Sequence, residues 1–287
     1  MVQQRKGGCL MIFTHRKTGD KHICRTQPSE DALEVFRLKN YSVIILSDGC
    51  SSSKYGFEAS NRIVKRLSSS LRYPSAYKLG FENPLSFLDE YMPDGKEKEF
   101  SDIILREIRQ ETDYMLKLYN CERKDLCCTL ILSIIKYDPK TKKNSALVLC
   151  IGDGIVASYN AKCRCASLIT DGDNIDDDSR RTYFCTSANA HEHVRVYRAN
   201  PFDSILISSD GLTHIVNTVT EIDEFMENTA SLLAPSDAQF SKSMNLLLAS
   251  YLYRDTHRDL NDDCTFAYYT TDKRAVHRLV KNNKFHT

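Results

Sequence analysis

The residues of this chain best able to do chemistry are carboxylates placed at the ends of apolar runs. Val43-Ile44-Ile45-Leu46-Ser47-Asp48-Gly49 returns far downstream as Ile205-Leu206-Ile207-Ser208-Ser209-Asp210-Gly211. An aliphatic, β-branched run closed by Asp-Gly reads as a buried strand whose last side chain is a carboxylate at a sheet end. A third acidic site, Asp262-Asp263-Cys264-Thr265, leads directly into the strand-like Phe266-Ala267-Tyr268-Tyr269. No lysine or arginine lies within these motifs, so carboxylates that converge there repel one another unless a cation sits between them. Hard oxygen donors of this kind suit magnesium or manganese. Taken singly, Asp-Gly after a strand is a turn, in which glycine supplies a positive φ. The near-duplicate and the late Asp-Asp pair lift the set above that reading.

The candidate carboxylates are therefore Asp48, Asp210 and Asp262, with Asp31, Asp125, Asp153 and Asp263 in reserve. Two divalent ions about 4 Å apart, bridged by aspartates, hold a shared water, lower its pKa and present hydroxide in line to a phosphorus atom. Hydrolysis of phosphate esters is the chemistry such a site serves best.

Other motifs point nowhere comparable. Asp171 to Asp178 is acidic enough to suggest a calcium loop, but the position that requires glycine holds Asp176 and the twelfth position holds Thr182, so a solvated acidic loop is expected. No glycine-rich phosphate loop is present. His191-Glu192-His193 places both imidazoles on one face of an expected strand, without a third ligand nearby. The eleven cysteines are odd in number and several sit in apolar runs, as Cys150 and Cys264 do. They read as reduced, mostly buried thiols, and neither Cys127-Cys128 nor Cys163-Arg164-Cys165 has the spacing of a zinc site.

The elements that must position these residues follow from periodicity. Strands are expected over Cys9–Thr14 and Tyr41–Leu46, joined by a polar connection that carries Arg25 and Glu30-Asp31. Ala59, Ile63, Val64 and Leu67 fall at helical spacing after Gly56, and that helix should end in Ser68-Ser69-Ser70. Pro84 to Tyr119 reads as a short and then a long helix separated by Pro93-Asp94-Gly95. Short strands follow over Thr129–Tyr137, Ala146–Ile151, Ile155–Tyr159, Ala166–Ile169, Tyr183–Thr186, His193–Tyr197 and Ser204–Ser208. Helices return over Val219–Leu233 and Ala238–Tyr253, then a strand over Thr265–Thr270 and a helix over Asp272–Lys284. Strands in runs and helices in pairs argue for an α+β architecture, with antiparallel sheets covered by helices and one domain over residues 1–287.

Composition narrows the partners. Charged residues are 27% of the chain and nearly cancel, 39 basic against 38 acidic, so nothing marks a nucleic-acid or anionic-lipid binder. No apolar stretch approaches the roughly 20 residues that span a bilayer, and Leu10 to Phe13 is too short for a signal-peptide core. A cytoplasmic protein without membrane or nucleic-acid partners is expected.

In order and spacing, Glu30-Asp31, Asp48-Gly49, Thr129, Ile151-Gly152-Asp153, Ser209-Asp210-Gly211-Leu212 and Asp262-Asp263-Cys264-Thr265 resemble the metal-dependent serine/threonine protein phosphatases of type 2C, the PPM family. The stretch from Arg181 through Tyr183-Phe184-Cys185-Thr186-Ser187 to Leu212 is similar to the compact bacterial-type branch. The resemblance covers residues 8 to 270. It implies a central antiparallel β-sandwich flanked by pairs of helices, with two manganese or magnesium ions and room for a third. Asp48 is similar to the aspartate that bridges both metals, Gly49 to the residue whose carbonyl is a ligand, and Asp210 and Asp262 to the remaining direct ligands. Asp31 matches the acidic residue that holds a metal-bound water. The implied partner is a phosphorylated protein, the target of a serine/threonine kinase, and the implied state is a monomer.

The chain departs from the family pattern at several points. Asp48-Gly49-Cys50-Ser51-Ser52 stands where the family has Asp-Gly-His-Gly-Gly, so the histidine often assigned as general acid is absent, leaving water, His15 or His22 to protonate the leaving oxygen. Arg25, the candidate phosphate-binding arginine, is displaced by about one residue on the motif spacing. Cys127-Cys128-Thr129 replaces Gly-Ser-Thr, and Asp125 matches the third-metal aspartate only approximately. These departures leave two alternatives to an active protein phosphatase: a phosphatase-like binding or regulatory module without activity, and a hydrolase of small phosphate esters.

Overall fold

The computed structural model describes residues 11–170, 182–216, 218–233, 237–253 and 261–271. In chain order the elements are β1 (Met11–Lys17), α1 (Asp20–Cys24), β2 (Ala32–Leu38), β3 (Tyr41–Ser47), α2 (Gly56–Arg72), α3 (Pro84–Tyr91), α4 (Glu97–Tyr119), β4 (Leu130–Asp138), β5 (Lys143–Ile151), β6 (Ile155–Asn160), β7 (Cys165–Leu168), α5 (Ala190–His193), β8 (Arg195–Phe202), β9 (Ser204–Ser208), α6 (Val219–Ser231), α7 (Asp237–Leu252) and β10 (Cys264–Thr270). One sheet runs β2-β3-β4-β5-β8 and the other β1-β10-β9-β6-β7, the α+β class expected. The chain divides into two compact units. One holds residues 30–154 and 170–200, the other residues 1–29, 155–169 and 201–287.

In the first of these units β3 is buried at every position and pairs antiparallel with both β2 and β4. Its continuous aliphatic run is the signature of a strand covered on both faces. Helix α2 lays Ala59, Ile63, Val64, Leu67 and Leu71 into the core. It continues to Arg72, past the serines where it was expected to end, because Ser70 and Leu71 are themselves buried. Helix α4 lies against α2 through Arg66–Glu107 at 2.8 Å and Arg62–Glu111 at 2.6 Å. Asn83 caps α3 by accepting the Ser86 N–H at 3.0 Å, with Pro84 in the first turn. Phe87, Tyr91 and Phe100 pack at tilted ring angles where α3 meets α4.

Strand β2 is an addition to the expected elements. It lies at the sheet edge, pairs only with β3 among the described residues, and buries Ala32 and Phe36 while Glu34 and Arg37 stay partly exposed. A half-solvated edge strand carries charges and so reads as a polar connection. The expected strand at Tyr183–Thr186 is instead a turn, tied down by Cys185 N–H donating to the Cys128 carbonyl at 2.9 Å. His191 and His193 belong to a single helical turn, so they do not share a strand face, and His193 stacks on Tyr183. The helix expected over Asp272–Lys284, the acidic loop at Asp171–Asp178 and the start of the first strand lie outside the described residues.

In the second unit the core is an aromatic column: Phe13 of β1 packs on Phe240 of α7, and Phe225 of α6 meets both Phe266 and Tyr251. Thr218 caps α6, accepting the Glu221 N–H at 3.2 Å. None of the ten described cysteines forms a disulfide, but only Cys128, Cys150, Cys185 and Cys264 are buried, fewer than expected. No helix among the described residues is long and apolar enough to cross a membrane.

One side chain makes the second unit sensitive to acid. His15 of β1 is 3% exposed, packs on Phe266, and has neither ring nitrogen hydrogen-bonded among the described residues. Burial first, and the Lys17 charge second, push its pKa down to about 4. The fold holds the neutral ring, whereas the unfolded chain takes up a proton below about pH 6.5. The stability this contributes is complete above that value and falls as the pH drops through the window from 6.5 to 4. We expect unfolding free energy to fall by about 2 kcal/mol between pH 7 and pH 5 from this residue. Urea denaturation at both pH values should show a flatter slope in His15→Leu; an unchanged slope would remove His15 as the cause.

Candidate metal centre

The β2–β3 ladder places two carboxylates side by side. Ala32 pairs with Ser47, and the same register, continued one step, sets Asp31 opposite Asp48. A further step sets Glu30 opposite Gly49, and the Gly49 N–H donates to the Glu30 carbonyl at 3.2 Å. Cross-strand partners hold their Cβ atoms about 5 Å apart on one face, where like charges destabilise the pair. Asp31 is wholly buried and Asp48 partly so. The backbone of Asp48 is clamped by Thr129, the residue before β4: its carbonyl accepts the Thr129 N–H at 2.8 Å, and its N–H donates to Thr129 Oγ1 at 3.1 Å. Cys50 N–H donates to the Cys127 carbonyl at 2.9 Å, so Cys127-Cys128-Thr129 serves as the seat of the Asp-Gly loop through its main chain.

In the other unit Asp210 and Asp262 come together with His214. One ligand atom from each lies within 4.8 Å of the other two. Asp210 opens a 3-10 turn after β9, and Thr213 returns both its N–H and its hydroxyl to the Asp210 carbonyl. That turn brings residue 214 back beside residue 210. The loop carrying Asp262 is held from behind. The buried Asp263 accepts the Gly19 N–H at 2.8 Å with one oxygen and faces His22 Nδ1 at 3.0 Å with the other.

Both Asp-Gly glycines are needed for close approach. Neither Gly49 nor Gly211 has a positive φ, so a left-handed turn is not the reason for glycine. A Cβ on Gly49 would stand 2.5 Å from the Gly56 carbonyl oxygen at the start of α2, and one on Gly211 would collide with the Asp263 carbonyl. Gly19 is packed in the same way, its Cβ position lying 2.5 Å from the Asn261 carbonyl oxygen.

Three of the four reserve carboxylates have structural duties. Asp125 accepts the Glu122 N–H at 3.0 Å in a capping box, Asp153 accepts the Thr182 hydroxyl, and Asp263 holds Gly19. Arg25 ends α1 with an exposed side chain that makes no ion pair among the described residues. His15 is buried and neutral at pH 7, so it has no proton to give as an imidazolium. His214, Gly19 and the Asp263–His22 pair escaped the sequence reading. The signal for His214 was present as Asp-x-x-x-His, a spacing that meets on one helical turn.

Fold and site define a class. The family model described as Protein phosphatase 2C matches residues 18–249. The chain belongs to that family of metal-dependent serine/threonine phosphatases. Among solved structures, serine/threonine phosphatase Stp1 from Staphylococcus aureus is 16% identical, with 93% of this chain and 98% of that one covered and a TM-score of 0.58. The catalytic domain of serine threonine protein phosphatase PstP, in complex with two manganese ions, is 17% identical over 91% and 97%, TM-score 0.56. RsbX in complex with magnesium is 13% identical over 94% and 99%, TM-score 0.54. No curated protein matches the sequence.

The packing at Gly19 gives a direct test of the clamp behind Asp262. Gly19→Ala forces a methyl against the 261–262 main chain, a clash that costs about 1–3 kcal/mol. Urea unfolding should show it; a variant as stable as the parent would mean that the two segments are not in contact.

Proposed function

We propose that this chain removes phosphate from phosphoserine or phosphothreonine of a protein that a kinase has modified, using two manganese or magnesium ions. Asp48, the Gly49 carbonyl, Asp210 and Asp262 hold the ions, and Asp31 acts through water. The observation that carries this reading is the convergence of Asp210 and Asp262 with His214, their ligand atoms within 4.8 Å of one another. The Asp31–Asp48 cross-strand pair supports it, since neighbouring carboxylates at strand ends cost stability that a cation repays. These donor types fit a divalent ion of the hard or borderline kind.

When bound, such ions supply a water acidic enough to attack phosphorus at neutral pH, and charge to offset that of the phosphate. The protein's part is to fix the donors on rigid strand ends. Arg25, exposed and without an ion pair among the described residues, binds the phosphate oxygens. Asp31 orients water from its buried strand position. The leaving oxygen takes its proton from water, because Cys50 replaces the family's histidine and His15 is held neutral. The reading extends to a single phosphatase domain over residues 1–287, acting as a cytoplasmic monomer without nucleic-acid or membrane partners.

Hydrolysis of p-nitrophenyl phosphate and of a phosphothreonine peptide, with manganese, magnesium or chelator, tests it. Turnover should require metal and fall at least about a hundredfold in Asp48→Asn and in Asp210→Asn. Full metal-dependent activity in Asp210→Asn would sink the assignment, and activity on the small ester without the peptide would make the substrate a small phosphate ester.

A further inference from the structure

The donor set of the second unit is not all oxygen. His214 joins Asp210 and Asp262 with its ring nitrogen inside the 4.8 Å group. Its placement follows from the packing of the turn. Leu212, Ile215 and Val216 are buried at 0%, 0% and 1% exposure, anchoring the inner side of residues 210–216. The Ile215 and Val216 N–H groups both close on the Leu212 carbonyl, at 3.0 and 2.8 Å. With those side chains directed inward, His214 is left exposed, four residues from Asp210 on the same turn. Its ring makes no hydrogen bond or ion pair among the described residues that would occupy it elsewhere.

We infer that His214 is a nitrogen ligand to the ion held by Asp210 and Asp262, and that it biases this site toward a transition metal such as manganese and against magnesium. The inference rests on the metal-dependent reading of the site and goes beyond it by naming a ligand and a selectivity. Magnesium prefers oxygen donors and gives up its own waters reluctantly. Imidazole suits first-row transition ions, whose affinity for nitrogen donors exceeds that of the alkaline-earth ions. A carboxylate at position 214 would give an all-oxygen set equally open to magnesium. With histidine the set has two oxygens and one nitrogen, and the two classes of ion are no longer equivalent.

The experiment compares the parent chain with His214→Asp and His214→Ala, loaded with manganese alone and with magnesium alone. Pulsed electron paramagnetic resonance of the manganese-loaded parent should show modulation from a directly bound imidazole nitrogen, absent from both variants. Calorimetry should show the ratio of manganese to magnesium affinity falling by about tenfold or more in His214→Asp. Because residue 214 is exposed, the variants should fold, and circular dichroism checks this. Manganese binding without nitrogen modulation, or an unchanged affinity ratio, would overturn the role of His214 while leaving the metal site intact. Failure of the parent to bind either ion would overturn the metal reading itself, and the inference with it.

Discussion

Mutual repulsion of carboxylates is the constraint on which the arrangement of this protein turns. In one unit, strand register sets Asp31 against Asp48; in the other, a loop and a 3-10 turn bring Asp262 to Asp210. Left to themselves, such pairs would move apart or take up a proton. What prevents the first is main-chain commitment. Asp48 is bonded through both its carbonyl and its N–H to Thr129, and the chain beside Asp262 is bonded through Asp263 to Gly19. The main chain beneath the carboxylates therefore cannot move away without breaking backbone bonds. A divalent cation offsets the repulsion without any movement.

Holding charges in place requires stiffness behind them. Strand β3 is buried along its whole length, so a slip of one residue would force every one of its side chains to repack on the opposite face and turn Asp48 to the wrong face. The pairs Arg66–Glu107 and Arg62–Glu111 lock α2 to α4, and α2 begins where Gly56 meets Gly49. Position at Asp48 is thus inherited from a helix pair many residues away in the chain. In the other unit the column of Phe13, Phe240, Phe266, Phe225 and Tyr251 fixes β1 and β10, the two strands nearest in sequence to the Gly19–Asp263 clamp.

Much of this could be read before any coordinates. Apolar runs ending in Asp-Gly located β3 and β9, and the Pro-Asp-Gly break separated α3 from α4, because strong periodicity reports burial and burial decides structure. Failures came where tertiary context overrides local pattern. Strand β2 carries Glu34 and Arg37 because it is an edge, while Tyr183–Thr186 has β-prone residues in a turn held by the Cys128 carbonyl. Composition signals that glycine is required, but only packing tells a positive φ from a close approach, and at Gly49 and Gly211 it is the approach. The candidate carboxylates are legible as motif ends; Asp263, which holds the chain behind one of them, looks identical to them in sequence.

Histidine has changed its place in this chain's chemistry. The Asp-Gly loop has Cys50 where an imidazole could have served as proton donor, and Cys50 spends its N–H on the Cys127 carbonyl and rests its sulfur 3.1 Å from Ser52 Oγ. A cysteine thiol is a weaker acid than imidazolium and so a poorer proton donor to an alkoxide leaving group. On the reading proposed above, acid assistance at that loop passes to water. The exposed imidazole of the second unit sits instead among the carboxylates, where its worth lies in an electron pair and not in a proton. A ring that binds an ion through nitrogen cannot at the same moment carry a proton there, so ligand and general acid are exclusive roles at one atom. On this geometry the chain gives up proton donation from the protein at Cys50 and gains a donor at His214 that tells one divalent ion from another.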